Sequence, residues 1–263
     1  MLDRGVMAIC MQAPQLSQHG FRHGFSLRLG GVSTEPFSSL NLGRDLGDLE
    51  VALAENHRRL AEAVGYAPDK LVEVRQVHGS VAVAVPATSK RDELRAVRDA
   101  EADALVTGDA GVAVAVRTAD CVPLLLADPE SGAVAAVHAG WRGVVAGVVR
   151  EAVAVLRSVS HAPSTRIVGA ILPHIRSCCF EVGDEVAKEL AQITESAVVD
   201  GPTRGKAHGH LANALYAQLR QVGVPTKQVD DVSGCTRCDA TRFYSYRRDG
   251  KDAGRHLSVI VAR

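Results

Sequence analysis

One short segment, TADCVPLLLADPESGAVAAVHAGWRG (118–143), constrains the fold more than any other part of the chain. Two apolar runs, VPLLLA and AVAAVH, flank the turn-like sequence DPESG, so the segment predicts a β-hairpin. If the Pro-Glu dipeptide forms a two-residue turn, Cys121 lies directly opposite His138, and a longer loop shifts that pairing by one residue. Directly opposed side chains have Cβ atoms about 4.5–5.5 Å apart. The hairpin therefore predicts that a thiol and an imidazole meet at its open end.

This pair of side chains has three interpretations. A cysteine and a histidine can bind one zinc ion, with bonds of about 2.3 Å from sulfur and 2.0 Å from nitrogen. They can also act as a nucleophile and its base, or they can simply pack against each other. Pro123 cannot donate a hydrogen bond to the neighbouring strand and can mark a bulge, so the hairpin alone leaves the three interpretations open.

Strand and helix patterns surround the hairpin. The segment LVEVRQVHGSVAVAV (71–85) and the segments DALVT, VAVAV, RIVGAIL and HLSVIVAR are strand-like. A helix is predicted over 49–64, capped by Asp48 and closed by Gly65, and one continuous helix is predicted over 140–159. GDEVAKELAQI and GHLANALYAQLRQVG have helical patterns as well.

The mixture of hairpins and strand–helix alternation predicts an α/β fold with mixed sheets. No Pro/Gly/Ser-rich linker divides the chain, so residues 1–263 are predicted to form a single domain, with residues 1–20 open to disorder. The charged segment 88–103 is predicted to be exposed.

The charge balance excludes some partners. Thirty basic and 30 acidic residues give a formal net charge of zero, which supports neither bulk nucleic-acid binding nor attraction to a membrane surface. No apolar run approaches the roughly 18 residues of a membrane span, and the N-terminus lacks a signal-peptide core. We therefore expect a soluble, cytoplasmic protein with reduced thiols.

Four cysteines form two pairs outside the hairpin, Cys178-Cys179 and Cys235-x-x-Cys238. Adjacent residues of an extended strand point to opposite faces, so the first pair would not easily bind one ion. The C-x-x-C motif has no second pair at the spacing of a metal site. Structural roles are therefore predicted for all four.

Three candidate ligands are predicted to lie at strand ends. His78 and His138 each end a predicted strand and Cys121 follows one, so the three could converge on one edge of a sheet. Three protein ligands with an open fourth position are typical of catalytic zinc. Just beyond His138, a Gly-rich turn leads into a helix whose free amides could bind an anion, with Arg142 inside this junction.

Five motifs taken in order, RQVHG, TADCVPLLLAD, AAVHAGWRG, CCFEVG and FYSYRRDG…GR, resemble those of the laccase-domain family. That family has been described both as multicopper polyphenol oxidases and as purine nucleoside phosphorylases. The resemblance runs from about Gly24 to Arg263. It implies a layered α/β/β/α sandwich similar to the catalytic domain of cytotoxic necrotizing factor. It also implies that His78, Cys121 and His138 are the zinc ligands and the catalytic centre.

The activity that the resemblance implies is phosphorolysis of adenosine, inosine and methylthioadenosine, together with deamination of adenosine. The partners would be purine nucleosides and phosphate, and the protein a monomer or small homo-oligomer. Copper is less favoured than zinc, because copper oxidation of phenols normally needs a His-rich multi-copper cluster. Candidate contacts to ribose and phosphate are Asn41, Arg142, Arg247 and Arg248. Asp120 could orient a histidine ligand or cap a turn.

One departure from the family bears on substrate binding. The family's Glu-Asn-Arg reads Glu55-Asn56-His57 here, and His57 could replace an arginine only when protonated. Two rival functions are also open. One is a metal-free hydrolase or amidase that edits cell-wall precursors, with Cys121 as nucleophile and His138 as base. The other is a non-catalytic binding module with a closed metal site.

Overall fold

Two large mixed sheets form the centre of the computed structural model, which describes residues 9–86, 93–94, 97–202 and 205–263. The five-stranded sheet has the order β1 (Cys10–Met11), β2 (His23–Ser26), β13 (His256–Val261), β6 (Ala113–Thr118) and β3 (Leu71–Val72). The six-stranded sheet has the order β12 (Val229–Asp231), β9 (Val168–Ile171), β7 (Val122–Ala127), β8 (Val134–Ala139), β5 (Ala104–Thr107) and β4 (Ala82–Ala84). Each sheet contains parallel and antiparallel pairs, which confirms the predicted α/β class with mixed sheets.

The remaining regular elements are a ribbon and the helices. The antiparallel ribbon consists of β10 (Val198–Asp200) and β11 (Ala207–Gly209). The helices are α1 (Pro14–Gln18), α2 (Glu50–Val64), α3 (Trp141–Ala146), α4 (Val148–Ser160), α5 (Asp184–Ile193), α6 (Leu211–Gln221) and α7 (Tyr246–Asp249). Within the described residues, no helix is long and apolar enough to cross a membrane.

The space between the two sheets is filled by one hydrophobic cluster. Val114 and Val116 of β6 share this cluster with Leu125 of β7 and Ala136 of β8. Because side chains alternate along a strand, the neighbouring residues of β7 and β8 point to the opposite face. The hairpin is therefore buried on both faces, which explains its continuous apolar sequence.

Helices cover the outer faces of both sheets. Leu124 and Val137 of the six-stranded sheet pack with Leu156 of α4 and Leu215 of α6. The five-stranded sheet packs its outer face on α2, in a separate cluster that contains Leu60. The layers thus run helix, sheet, sheet, helix. The likeness to the toxin domain stays a prediction.

The hairpin forms as predicted, but the predicted register is wrong. Ala127 pairs with Val134, so Pro123, and not Cys121, lies opposite His138. The reason is a longer loop, in which the Asp128 amide donates to the Ala133 carbonyl across 2.9 Å. Cys121 precedes Pro123 by two residues, so its side chain lies on the same face of the hairpin as that of His138.

Two predicted elements are interrupted. The helix predicted over 140–159 is two helices, α3 and α4, because Gly147 between them has a left-handed φ of 88°. The segment 71–85 forms only the short strands β3 and β4 and a loop between them. His78 lies in that loop, with a φ of 60°, and does not end a strand.

Several boundaries also differ from the sequence analysis. Helix α2 ends at Gly65 as predicted, but its N-cap is Leu49 rather than Asp48. Residues 1–8 are outside the described residues, whereas 9–20 contain β1 and α1, so disorder is the wrong prediction for these elements. The charged segment 88–103 falls partly outside the described residues, and among those described Leu94, Ala102 and Asp103 are buried, so exposure is the wrong prediction for these three.

Replacing Leu125 by alanine tests the packing between the sheets. Leu125 is fully buried, and truncation of such a side chain costs about 2–5 kcal/mol through lost burial and the cavity left behind. Val51→Ala is the control, because Val51 on α2 is 77% exposed and should change stability by less than about 0.5 kcal/mol. Denaturant unfolding measures both. If both variants lost equally little free energy of unfolding, the described packing between the sheets would be contradicted.

Candidate metal and substrate site

Three side chains from three separate parts of the chain meet at one end of the sheets. His78 belongs to the loop between β3 and β4, Cys121 to the turn between β6 and β7, and His138 to β8. Their ligand atoms all lie within 4.8 Å of one another, which is a grouping that could hold a metal ion. The imidazole centroids of His78 and His138 are 4.8 Å apart in an edge-to-face arrangement. His138 is buried, Cys121 is half-buried and His78 is exposed.

The backbone around the three residues permits this close approach. A Cβ at Gly140 would lie only 2.9 Å from Cδ2 of His78 and 3.2 Å from Sγ of Cys121. Glycine at this position therefore leaves the space that the two side chains occupy. Asp120, just before the thiol, has a φ of 94°, so the chain turns sharply as it passes from one sheet to the other.

A buried aspartate, Asp103, joins two of the three residues. Its carboxylate accepts hydrogen bonds from the backbone amides of Val77, His78 and Gly79 at 3.3, 3.0 and 2.6 Å. It also bonds Nδ1 of His138 at 2.7 Å. With Nδ1 donating to the carboxylate, Nε2 of His138 is left to face Cys121 and His78. Asp103 thus fixes both the loop that carries His78 and the ring of His138.

Asp120, whose place beside Cys121 predicts an orienting or turn-capping role, has other partners than a histidine ligand. The Asp120 carboxylate accepts hydrogen bonds from Oγ1 of Thr236 and from the backbone amide of Arg247, both at 2.6 Å. It therefore joins the turn before Cys121 to the C-terminal loops. Asp103 was missed because no motif marks it: its role depends on the pairing of β5 with β8.

The electrostatics of the site favour a charged cysteine and histidine. Burial raises the pKa of the Cys121 thiol, but the charge and hydrogen bonds of His138 and His78 outweigh it and lower the pKa to about 6. Burial lowers the pKa of His138, but the sulfur of Cys121 and the carboxylate of Asp103 outweigh it and raise the pKa to about 9. In the metal-free protein at neutral pH, the pair is therefore a thiolate and an imidazolium.

A cavity of 560 Å³ opens above these side chains. This volume lies in the range of small-molecule sites. Its lining includes the three residues just described, the aromatic rings of Phe180 and Tyr246, and five arginines. These arginines are Arg44, Arg75, Arg117, Arg247 and Arg255.

The five arginines differ in their ion pairs. Arg44 and Arg117 both lie within 3.5 Å of Glu73, and Arg75 pairs with Glu101. Arg247 and Arg255 have no carboxylate within salt-bridge distance in the described part of the chain. Arg247 donates to the carbonyl of Glu181, and Arg255 donates to those of Ala253 and Gly254. Because no carboxylate neutralises these two guanidinium groups, they are the candidates for binding an anion in the cavity.

Only one of the four predicted substrate contacts lines the cavity, and that one is Arg247. Arg142 is exposed outside the lining, and its guanidinium stacks 4.5 Å from the ring centroid of Trp141. Arg248 also lies outside, because it donates to the carbonyls of Thr236 and Phe243 and pairs with Asp249. Neither arginine lies in the cavity lining, and a contact of either one with substrate stays a prediction.

Asn41 is fully buried and lies beneath the cavity rather than in its lining. Its Oδ1 accepts from the amides of Gly43 and Arg255, and its Nδ2 donates to Asp48 and to the carbonyl of Gly43. Both polar atoms of the Asn41 side chain are thus hydrogen-bonded within the protein, and they support the lining residues Gly43 and Arg255. A direct contact of Asn41 with ribose stays a prediction.

The unusual His57 also lies away from the cavity. Its ring lines a separate pocket of 390 Å³ that Arg44 and Tyr66 share. Burial lowers the pKa of His57, so the ring is neutral at physiological pH. His57 therefore does not supply a charged substitute for the family's arginine at the main site.

The two remaining cysteine pairs come together, contrary to the sequence analysis. Cys178 and Cys179 lie in a turn, not in an extended strand, so both sulfurs can point the same way. The sulfurs of Cys235 and Cys238 complete a group whose members all lie within 4.8 Å of one another. Cys178 and Cys179 are thus the second pair that the C-x-x-C motif lacks in sequence. The local spacing of cysteines cannot show this, because the two pairs meet only through contacts between distant segments.

Comparison with known proteins gives the chain its family. Residues 22–263 match the family described as multi-copper polyphenol oxidoreductase laccase. A purine nucleoside phosphorylase from Deinococcus radiodurans is 39% identical over 253 residues, covering 95% of this chain and 91% of that protein. The adenosine deaminase RL5, from an unknown prokaryotic organism, is 39% identical over 247 residues, covering 91% of this chain and 93% of that protein.

Solved structures share the fold. YlmD from Geobacillus stearothermophilus has a TM-score of 0.86 at 32% identity, covering 97% of this chain and 99% of that one. The YfiH protein of Bacillus licheniformis has a TM-score of 0.88 at 26% identity, covering 97% of each chain. The mixed α/β architecture, the ordered motifs and these matches agree: the chain belongs to the multi-copper polyphenol oxidoreductase laccase family.

Proposed function

We propose that this protein is a zinc-dependent purine nucleoside phosphorylase that acts on adenosine, inosine and methylthioadenosine and also deaminates adenosine. The observation that carries the proposal is the His78–Cys121–His138 group at the base of a cavity that also holds two arginines without carboxylate partners. The names of the relatives support both reactions. The proposed enzyme is cytoplasmic and a monomer or small homo-oligomer, and residues 1–263 form its single domain.

The three side chains suit zinc. Two imidazoles and one thiolate are a common donor set for this ion, and a site with three protein ligands leaves one position open. That position would face the cavity, since all three residues line it. When bound there, zinc would act as a Lewis acid and lower the pKa of a water molecule. Copper oxidation of phenols normally needs a multi-copper cluster of histidines, whereas this group contains two.

The chain's own residues have distinct parts in the proposed reactions. Asp103 holds His138 in one tautomer and orientation. Arg247 and Arg255 bind the phosphate, whose oxygen attacks C1′ of the ribose while the bond from C1′ to the purine breaks and the purine takes up a proton. Arg247 and Arg255 lie over one face of the rings of Phe180 and Tyr246, at 5.4 and 5.7 Å from the ring centroids, and the other face of each ring is proposed to contact the purine. In deamination, water replaces the amine at C6 and ammonia leaves.

A second function is favoured by one observation. The Asp103–His138–Cys121 chain of contacts, with its thiolate and imidazolium, has the order of an orienting acid, a base and a nucleophile. This arrangement supports the metal-free hydrolase or amidase acting on cell-wall precursors, on a fold like that of the toxin domain. Full activity after exhaustive chelation would favour this second function over the zinc enzyme.

Product identity is the direct test of the proposed reaction. We expect inosine and phosphate to yield hypoxanthine and ribose 1-phosphate, and we expect Cys121→Ala to abolish the release because the site loses a ligand. Cys10→Ala is the control, since Cys10 lies in β1 and outside the cavity lining. Chromatography of both products measures the outcome. Hypoxanthine release that needs no phosphate, or that survives Cys121→Ala, would refute the proposal.

Replacement of Asp103 tests how His138 is held. Asp103→Asn removes the charge that faces the imidazole, and loss of such a partner typically lowers metal affinity by about 10- to 100-fold. Asp128→Asn is the matched control, because Asp128 is also buried and hydrogen-bonded but follows β7 at the end away from Cys121. Competition with a chromophoric chelator measures both affinities. Equal affinities for the two variants would show that Asp103 does not support the site.

The structure and the sequence point to different arginines as the phosphate contact. Arg255→Ala should raise the KM for phosphate by about tenfold to a hundredfold, because a charge-assisted hydrogen bond contributes about 1.5–3 kcal/mol. Arg142→Ala should leave this KM unchanged, since Arg142 lies outside the cavity lining. Steady-state kinetics at varied phosphate measure the effect. The reverse result would place the anion site at the start of α3.

The pH dependence of thiol modification reports the state of the site. In metal-free protein, alkylation of Cys121 should rise with pH through a midpoint near 6, because the reactive thiolate forms above its lowered pKa. Added zinc should protect the thiol. Peptide mass spectrometry measures modification at this residue. A midpoint in the ordinary range of a free thiol would contradict the described contacts with His138 and His78.

A further inference from the structure

A second group of sulfurs lies apart from the residues of the proposed reactions. The Sγ atoms of Cys178, Cys179, Cys235 and Cys238 all lie within 4.8 Å of one another. Cys178 is 3.7 Å from both Cys179 and Cys238, and Cys179 is 3.3 Å from Cys238. A zinc ion with four sulfurs at 2.3 Å in a tetrahedron has sulfur–sulfur distances of about 3.8 Å. The spacing of Cys178, Cys179 and Cys238 is therefore close to that of a tetrathiolate centre, and Cys235 lies near enough to be the fourth ligand.

The fold explains why these cysteines meet. Strands β9 and β12 are parallel neighbours, so the segments that follow them leave the same edge of the sheet. Cys178 and Cys179 follow β9, and Cys235 and Cys238 follow β12. A parallel bridge between His174 and Cys235 extends the pairing into the two segments. The arrangement is thus set by sheet topology and not by chance contact of surface loops.

Hydrogen-bond donors approach two of the four sulfurs. The backbone amide of Arg176 donates to Sγ of Cys235 at 3.4 Å, and Nη1 of Arg237 donates to Sγ of Cys179 at 3.5 Å. Four thiolates and one divalent cation carry a net charge of −2, which a neighbouring guanidinium partly offsets. Cys178 and Cys238 are exposed, so an ion can reach the group from solvent.

We propose that Cys178, Cys179, Cys235 and Cys238 bind one zinc ion in a second, closed metal centre that holds together the loop before Phe180 and the loop that carries Thr236. Thiolates select zinc among the common divalent ions, and four protein ligands leave no open position for substrate. The centre is therefore structural. It is separate from the His78–Cys121–His138 group and does not depend on the reaction proposed for that group.

One of the loops that this centre joins lines the cavity, and the other is connected to it through Asp120. Phe180 follows Cys179 in the chain and lines the cavity. Thr236, between Cys235 and Cys238, donates to the Asp120 carboxylate, which also accepts from the amide of Arg247. A bound ion would thus fix an aromatic face and, through Asp120, an arginine of the site. Its loss should loosen the wall without removing any group that touches substrate.

Metal content after zinc-supplemented expression tests the proposal. We expect about two zinc ions per wild-type chain and about one in the Cys121→Ala/His138→Ala variant, whose four sulfurs are untouched. The Cys178→Ser/Cys238→Ser variant should also keep about one, and Cys10→Ser, the control, should keep about two. These counts need no substrate, so a failed phosphorolysis assay would leave the result intact. Loss of all zinc from a folded Cys121→Ala/His138→Ala chain would overturn the proposal.

Cobalt substitution keeps the test decisive if the double serine variant does not fold. The Cys121→Ala/His138→Ala chain, stripped of metal and titrated with Co²⁺, should show the strong sulfur-to-cobalt charge-transfer absorption of a tetrathiolate site. An octahedral or sulfur-free spectrum would overturn the assignment, as would disulfides among the four cysteines in freshly purified, metal-free protein.

Hydrogen exchange tests the structural role of the ion. Chelation of the same Cys121→Ala/His138→Ala chain should increase amide exchange in residues 174–181 and 233–240 and leave β7 and β8 unchanged. Equal exchange with and without metal would show that the ion does not hold the two loops.

Discussion

The hydrogen bonds of one buried carboxylate organise the proposed active site. Asp103 begins the segment that enters β5, and it accepts three backbone amides from the loop around His78 and Nδ1 of His138. A buried carboxylate is costly unless it is paired and hydrogen-bonded, and here four donors meet that requirement. The same bonds decide which nitrogen of His138 faces Cys121. The geometry of the site therefore depends on a residue that touches no substrate.

The sheets place the rest of the site around this carboxylate. The chain leaves the five-stranded sheet at the end of β6, turns at Asp120 and enters the six-stranded sheet at β7. Cys121 lies at that crossing, beside the strand that carries His138 and beneath the loop that carries His78. Apolar packing between the sheets holds the crossing rigid, since both faces of the hairpin are buried. Arginines from distant segments then supply positive charge to the cavity.

Local patterns were sufficient to predict much of this structure. The apolar runs and turn sequence of 118–143 predict the hairpin, and Gly65 predicts the end of α2. The approach of His78, Cys121 and His138 was also predicted, although the hairpin register was wrong because the loop is longer than a two-residue turn. The apolar periodicity of 140–159 predicts one continuous helix, but the left-handed backbone of Gly147 divides it into two.

Other features depend on contacts between residues far apart in sequence. Asp103 meets His138 only because β5 pairs with β8. Arg255 reaches the cavity because Asn41 accepts its amide across 214 positions of the chain. The four clustered cysteines meet because β9 and β12 are parallel neighbours. The spacing of residues in the sequence does not predict these pairings. Strands, turns and caps can be predicted, because they depend on a residue's type and its immediate neighbours.

Anomalous diffraction at the zinc absorption edge, from crystals of the wild-type protein grown with zinc, tests the central claim most directly. The account predicts a peak at bonding distance from Nε2 of His138, Sγ of Cys121 and a ring nitrogen of His78, with Nδ1 of His138 on Asp103. The fourth position should face the cavity. No peak at these three side chains, or a fourth protein ligand that closes the position, would contradict the account.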